Sequence, residues 1–72
     1  MPQNNSVRTF RSLTRVIENV TVVTLAEDAG VFKKGDALII KKILNDQGLV
    51  LCQNWGSTDQ ATISLDTKLQ EV

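Results

Sequence analysis

Few side chains in this sequence could do covalent or acid–base chemistry. The 72 residues include no His, no Tyr and a single Cys, Cys52. Ser–His and Cys–His nucleophilic pairs, and any His-based acid–base site, are therefore excluded by composition. A structural zinc site takes about four Cys or His ligands, which this chain cannot supply. One thiol closes no disulfide within the chain, and a lone free Cys fits a reducing compartment. Cys52 lies in the apolar run Leu49–Cys52 with no neighbouring His, so it reads as a small core hydrophobe, not a nucleophile. Asp36, Asp46, Asp59 and Asp66 each fall where a turn is expected, and turn Asp usually bonds nearby backbone. The expectation is a chain that is not an enzyme, with no catalytic residue, no metal and no cofactor.

What remains is chemistry of binding. Lys plus Arg number eight and Asp plus Glu number eight, for zero formal charge. That balance argues against gripping nucleic acid by bulk charge alone. The charge is nonetheless unevenly placed. Residues 1–17 hold Arg8, Arg11 and Arg15 with no acid, and residues 44–72 hold four acids against Lys68. The three Arg could form an anion-contacting strip for phosphate or an acidic partner. Lys33, Lys34, Lys41 and Lys42 flank one predicted strand and could extend it. The plainer view is a solvated face, with Lys at a strand end discouraging edge pairing. Two aromatic residues carry a similar duality. Trp55, in the polar turn Asn54-Trp-Gly56, is either a partner anchor or a cap on the fold. Phe10 is either an anchor or the residue that docks the N-terminal segment.

These residues need elements to hold them. The composition, 42% apolar, is that of one small globular domain. A chain this short gains only about 3–5 kcal/mol of net stability, so a homo-oligomer interface is kept open. No apolar run approaches the roughly 20 residues of a membrane span. Met1–Ser6 lacks a basic region followed by an apolar stretch, so no signal peptide is expected. The expected compartment is the cytoplasm.

Residues 1–6 are expected to be a loose tail. In residues 7–17, Val7, Phe10, Leu13 and Ile17 follow helical spacing, which favours a short amphipathic helix over an added strand. Val20–Leu25 is β-branched almost throughout and predicts a strand. Residues 37–53 predict a hairpin, with Asn45-Asp-Gln-Gly48 as its turn. Ala61–Leu65 alternates and predicts a further strand. Residues 66–72 predict a turn and a short closing strand, with Leu69 and Val72 inward. Short strands at this spacing point to an all-β fold. The expected form is a five-stranded small barrel over residues 19–72, with residues 1–18 as an N-terminal arm or short helix. Its expected core is Val22, Phe32, Leu38, Ile40, Leu49, Leu51, Ile63 and Leu65.

Certain stretches resemble known families. Phe32-Lys-Lys-Gly-Asp36, then Leu38 and Ile40, resembles the lead-in to the second strand of SH3 domains. Ile63–Val72 resembles their final turn and strand. Leu49-Val-Leu-Cys-Gln-Asn-Trp55-Gly56, then Ala61–Leu65, is similar to the last part of KOW domains of the NusG type. These likenesses cover residues 31–72 and imply an SH3-like small barrel. With no Tyr and one Trp, the chain lacks the aromatic groove that holds polyproline ligands. A competing likeness runs through Val22-Val23, Leu25–Gly30, Phe32–Ile40 and Gly48–Leu51. It is similar to the swapped-hairpin DNA binders of the AbrB and antitoxin type. Those are intertwined dimers that read DNA with basic residues near the first strand, where Arg8, Arg11 and Arg15 lie here.

The function expected from all this is a non-enzymatic protein-binding module. It would dock on a larger macromolecular assembly as an accessory or regulatory subunit, through Trp55 and Phe10. Stand-alone modules of this kind are frequent among phage and mobile-element proteins. The alternative is a nucleic-acid binder using Arg8, Arg11, Arg15, Lys33, Lys34, Lys41 and Lys42. Trp55→Ala should abolish the first, and replacing the three Arg the second.

Overall fold

A computed structural model describes residues 8–70. Six strands follow in chain order: β1 (Arg8–Thr9), β2 (Val22–Thr24), β3 (Ala37–Leu44), β4 (Leu49–Asn54), β5 (Gln60–Ser64) and β6 (Lys68–Leu69). Two single 3₁₀ turns interrupt them, at Phe10–Ser12 and Asn45–Gln47. Strands β2 to β5 form one antiparallel sheet in sequence order, and β1 pairs with β6 in a second, two-stranded sheet. An isolated Leu25–Leu69 bridge joins the two. Between β5 and the two-stranded sheet there is no ladder. That seam is crossed by the Arg11 N–H donating to the Leu65 carbonyl, at 3.3 Å. The arrangement is therefore mostly β, but it is two sheets joined at one side and not a closed barrel.

The predicted hairpin of residues 37–53 is present as β3 and β4. The chain reverses at Gly48, which sits at φ 68°, a left-handed conformation open to Gly at little cost. Strand β3 contains the device that sets the facing of the sheet. Leu38 and Ile40 point into the core. Strict alternation would next bury Lys42. Instead the register shifts between Ile40 and Lys42. The extra residue, Lys41, bulges, Lys42 turns outward, and Ile43 packs against the core. A bulge moves every later side chain to the opposite face, and here it exchanges a buried ammonium for an aliphatic side chain.

The core lies between the inner face of the large sheet and the chain that crosses it. It comprises Phe10, Leu25, Phe32, Leu38, Ile40, Val50, Cys52, Ile63, Leu65 and Leu69. Three residues expected in it are elsewhere. Val22 is 45% exposed, and Leu49 and Leu51 are half-buried on the other face. Val50 and Cys52 take the inward positions of β4. The burial of Leu69 agrees with expectation, while Val72 lies outside the described residues.

The amphipathic helix expected over residues 7–17 does not form. Arg8–Thr9 pairs with β6 instead, and the chain makes a single 3₁₀ turn. Ser12 holds that turn, its hydroxyl accepting the Thr9 N–H and donating to the Thr9 carbonyl. Thr and Val are mediocre helix formers. Burying Phe10 between the sheets outweighs what one amphipathic face in water would give. Of the residues at helical spacing, Phe10 is buried and Leu13 half-buried. Ile17 is 52% exposed, and Val7 lies outside the described residues. Residues 8–12, at the arm end of the chain, are thus part of the packed body.

Residues 26–36 fold into a laced loop. Ala29 and Phe32 exchange backbone hydrogen bonds of 3.0 and 2.9 Å around Gly30-Val31. Asp28 and Asp36 accept the Lys34 and Lys33 N–H groups. Glu27 accepts the Lys68 N–H at 2.9 Å, tying the loop to β6. No helix among the described residues is long and apolar enough to cross a membrane.

Candidate functional site: the outer face of the large sheet

The strand registers sort the side chains of β2 to β5 into rows. Three rows face the core: Val23–Leu38–Asn54, Ile40–Cys52–Ala61 and Ile43–Val50–Ile63. The intervening rows face away. They are Val22–Ile39–Gln53–Gln60, Lys42–Leu51–Thr62 and Leu44–Leu49–Ser64. A last outer row, Thr24–Ala37, is continued by Trp55, whose N–H donates to the Ala37 carbonyl at 2.8 Å.

The outer face therefore carries Val22, Ile39, Leu44, Leu49, Leu51 and Trp55. None of these six belongs to the core or packs against it. Trp55 is 66% exposed. Lys42 is the charged residue within the rows. Polarity rises toward β5, where Gln60, Thr62 and Ser64 are exposed and the Gln60 amide donates to Gln53 Oε1 at 2.9 Å. Antiparallel sheets with one solvated face normally alternate apolar-in and polar-out. Strands β3 and β4 break that rule by presenting aliphatic side chains on both faces. An aromatic anchor beside aliphatic neighbours, rimmed by polar groups, is the composition of a protein-contact surface.

Trp55 is held there by its turn. The Asn54 side chain accepts the Gly56 N–H at 2.8 Å, and Gln53 Nε2 donates to the Ser57 carbonyl at 3.1 Å. The turn is fixed while the indole stays in solvent. Phe10, the other aromatic candidate, is 4% exposed. It fastens the N-terminal segment to the core and offers nothing to a partner.

The seven basic candidates do not form one strip. Arg11 Nε donates to Asp66 Oδ1 at 2.7 Å, beside the Gly48 turn. Lys33 and Lys34 lie in the loop before Ala37, at the opposite end of β3. Seven steps of strand separate Ala37 from Leu44, about 23 Å. Lys41 is half-buried at the bulge and Lys42 lies within the outer face. Arg15 is exposed in the loop before β2, and Arg8 is exposed on β1. Arg8 lines a pocket of about 130 Å³ with Leu13, Val22, Val23, Leu69 and Gln70. That is below the roughly 300–1,000 Å³ of a small-molecule site.

The groups with reactive potential are engaged elsewhere. Burial pushes the Cys52 thiol up from 9.0 to about 12, so at neutral pH it is a protonated core side chain. Asp28, Asp36 and Asp66 hold backbone or Arg11, as described. Among the described residues no cluster of three or more His, Cys, Asp or Glu is placed to hold a metal ion.

The sequence could have disclosed the outer face through one signal. Leu38-Ile39-Ile40, Ile43-Leu44 and Leu49-Val50-Leu51 are apolar at consecutive positions, and consecutive positions of a strand face opposite ways. No protein-family model, curated protein or solved structure matches this chain.

Proposed function

We propose that this chain is a non-enzymatic protein-binding module that docks on a larger macromolecular assembly as an accessory or regulatory subunit. Its contact surface is the outer face of the large sheet, with Trp55 as the anchor and Ile39, Leu49 and Leu51 as the aliphatic floor. One observation carries this reading. Two central strands hold half-buried aliphatic side chains on the face away from the core, next to an exposed Trp. A protein partner is favoured over nucleic acid because the cations are dispersed, and the outer face of β3 and β4 is largely apolar.

The same reading takes the fold to be a variation on the SH3-like small barrel. Several features support it. The Phe32–Asp36 loop leads directly into β3, the meander runs through β5 to a turn at residues 65–67, and β6 returns to Leu25. A swapped-hairpin dimer is less favoured, since β2 to β5 pair with one another in sequence order within one chain.

The test is retention of a partner by immobilised protein. Wild type should retain one from its native host, while Trp55→Ala and Leu51→Asp should not. Circular dichroism should find both variants folded, and retention should change little between low and physiological salt. Retention that survives both substitutions, or disappears with salt, refutes the reading.

A further inference from the structure

We propose that the free edge of β5 pairs with β5 of a second copy of this chain, antiparallel about a twofold axis at Thr62. The result is one continuous eight-stranded sheet. This contact uses the backbone edge of β5 and not the Trp55 anchor, with the Thr62 side chain at the polar margin of the outer face beside Leu51, and each has its own test.

The argument begins with where the backbone groups of β5 point. The Asn54 N–H donates to the Asp59 carbonyl at 2.9 Å, and the Leu65 N–H donates to the Gly48 carbonyl at 3.0 Å. In an antiparallel ladder, bonded residues on one strand alternate with residues whose groups point away. Asp59, Ala61, Ile63 and the Leu65 N–H therefore bond toward β4, while the Leu65 carbonyl accepts the Arg11 N–H on the far side. The N–H and C=O groups of Gln60 and Thr62 and the Ser64 N–H point outward, the Ser64 carbonyl accepts the Thr67 N–H at 3.1 Å, and β5 pairs with no strand on that side among the described residues. Such edges are usually guarded by Lys, Pro, an inward charge or a bulge. Gln60-Ala-Thr-Ile-Ser64 contains none of these, and its register with β4 runs unbroken.

The occupant follows from self-complementarity. Pairing about Thr62 makes Thr62–Thr62 a hydrogen-bonded pair and sets Gln60 opposite Ser64 of the second copy. The Thr62 pair exchanges two backbone bonds, and in each Gln60–Ser64 pair the Ser64 N–H donates to the Gln60 carbonyl, the Ser64 carbonyl already holding the Thr67 N–H. Directly opposed Thr residues are a favourable cross-strand pair, and like charges would not be. Here no charge within the strand meets its own image. The same register brings Asp59 of each copy to the end of the strand where the other holds its Arg11–Asp66 pair, so that Arg11 faces carboxylates from both chains. Zero formal charge leaves no net repulsion between copies. A five-residue edge buries less than a standard interface, so the dimer should dissociate on dilution.

Sedimentation equilibrium over a range of concentrations, with cross-linking, tests this. Wild type should shift from monomer to dimer as concentration rises. Thr62→Lys, which sets ammonium against ammonium on an exposed site, should stay monomeric while folded. Thr62→Val should dimerise like wild type. Thr62→Cys should form an intermolecular disulfide under mild oxidation, because a bonded antiparallel pair places Cα atoms about 5.5 Å apart. Gln60→Cys should not, because its own image lies four residues, about 13 Å, along the strand. Cys52 is buried and takes no part. A wild type that is monomeric at every concentration overturns the proposal and leaves the edge to an extended segment of another protein. Equal cross-linking through Gln60→Cys and Thr62→Cys also overturns it. Neither outcome touches the Trp55 face, which the Leu51→Asp retention experiment tests alone.

Discussion

The facing of β4 decides both the core and the proposed docking surface, and two neighbouring alanine substitutions test it. Val50 is fully buried between Ile43 and Ile63. Leu51, one residue on, is half-buried on the outer face between Lys42 and Thr62. Val50→Ala removes two carbons worth about 0.8 kcal/mol each, and the cavity left behind brings the cost to about 2 kcal/mol. Leu51→Ala removes three carbons, but from a face open to water, where no enclosed cavity forms. Its cost should stay below about 1 kcal/mol. Side-chain size alone predicts the opposite order. Urea unfolding followed by far-ultraviolet circular dichroism measures both. Against a total of about 3–5 kcal/mol for a domain of this size, the difference is easily resolved. A Leu51→Ala cost equal to or above that of Val50→Ala would refute the register. It would also remove the docking surface, because a one-residue slip turns Leu49 and Leu51 inward.

Three further outcomes follow from the same geometry. Burial holds the folded Cys52 thiol at about 12 against 9.0 unfolded; the unfolded chain thus loses its proton first, and stability falls as pH rises from about 9 toward 12. Between pH 8 and 10 wild type should lose about 1 kcal/mol more than Cys52→Ala does, measured by urea unfolding at both pH values, and parallel losses would refute the burial argument. Gly48→Ala forces a Cβ into a left-handed site at φ 68° and should cost about 1–2 kcal/mol in thermal unfolding, with Gly48→Asn less harmful; equal stability of wild type and Gly48→Ala would contradict the turn. Phe10→Ala should cost about 3–5 kcal/mol while Trp55→Ala changes stability by no more than about 0.5 kcal/mol; comparable losses for the two would mean that Trp55 packs against the body of the protein.

The elements were more legible in the sequence than their facing. The β3–β4 hairpin is announced by two apolar runs around Asn45-Asp-Gln-Gly48, because a turn ending in Gly between aliphatic stretches has few other solutions. Which residues point inward could not be read, because Leu38-Ile39-Ile40 and Leu49-Val50-Leu51 offer an apolar side chain to either face. The choice is made by the bulge at Lys41, and a bulge appears in sequence only as a polar pair in the wrong phase. Phe10 and Trp55 shared one duality on paper, with docking of the N-terminal segment the favoured role for Phe10. Contacts distant in sequence separate them: Phe10 joins the core cluster, while Trp55 stays 66% exposed beside Ala37. The N-terminal segment misled for a related reason. Its helical spacing is genuine, but Ile17 found no surface to cover, and Thr9 gained more by pairing with Lys68.

The uncovered outer face and the unguarded edge bear on each other. A small chain has few aliphatic residues, and this one places Val22, Ile39, Leu44, Leu49 and Leu51 where they add little to its own stability. Water contact on that face is unfavourable in proportion to its apolar area, so a partner that covers it gains what the fold leaves unused. Pairing at β5 would set two such faces side by side on one sheet, their polar β5 margins joined at the twofold axis. Each Trp55 would then stand on the same surface at a fixed spacing. Two weak contacts held in one rigid frame bind with an avidity beyond either alone, provided that the target offers two matching sites. A Thr62→Lys monomer should therefore bind a repetitive assembly far more weakly than wild type, and lose much less on an isolated target subunit, where Thr62 stands only at the margin beside Leu51. Equal affinity of the two proteins for the assembly would show that the edge and the face act separately.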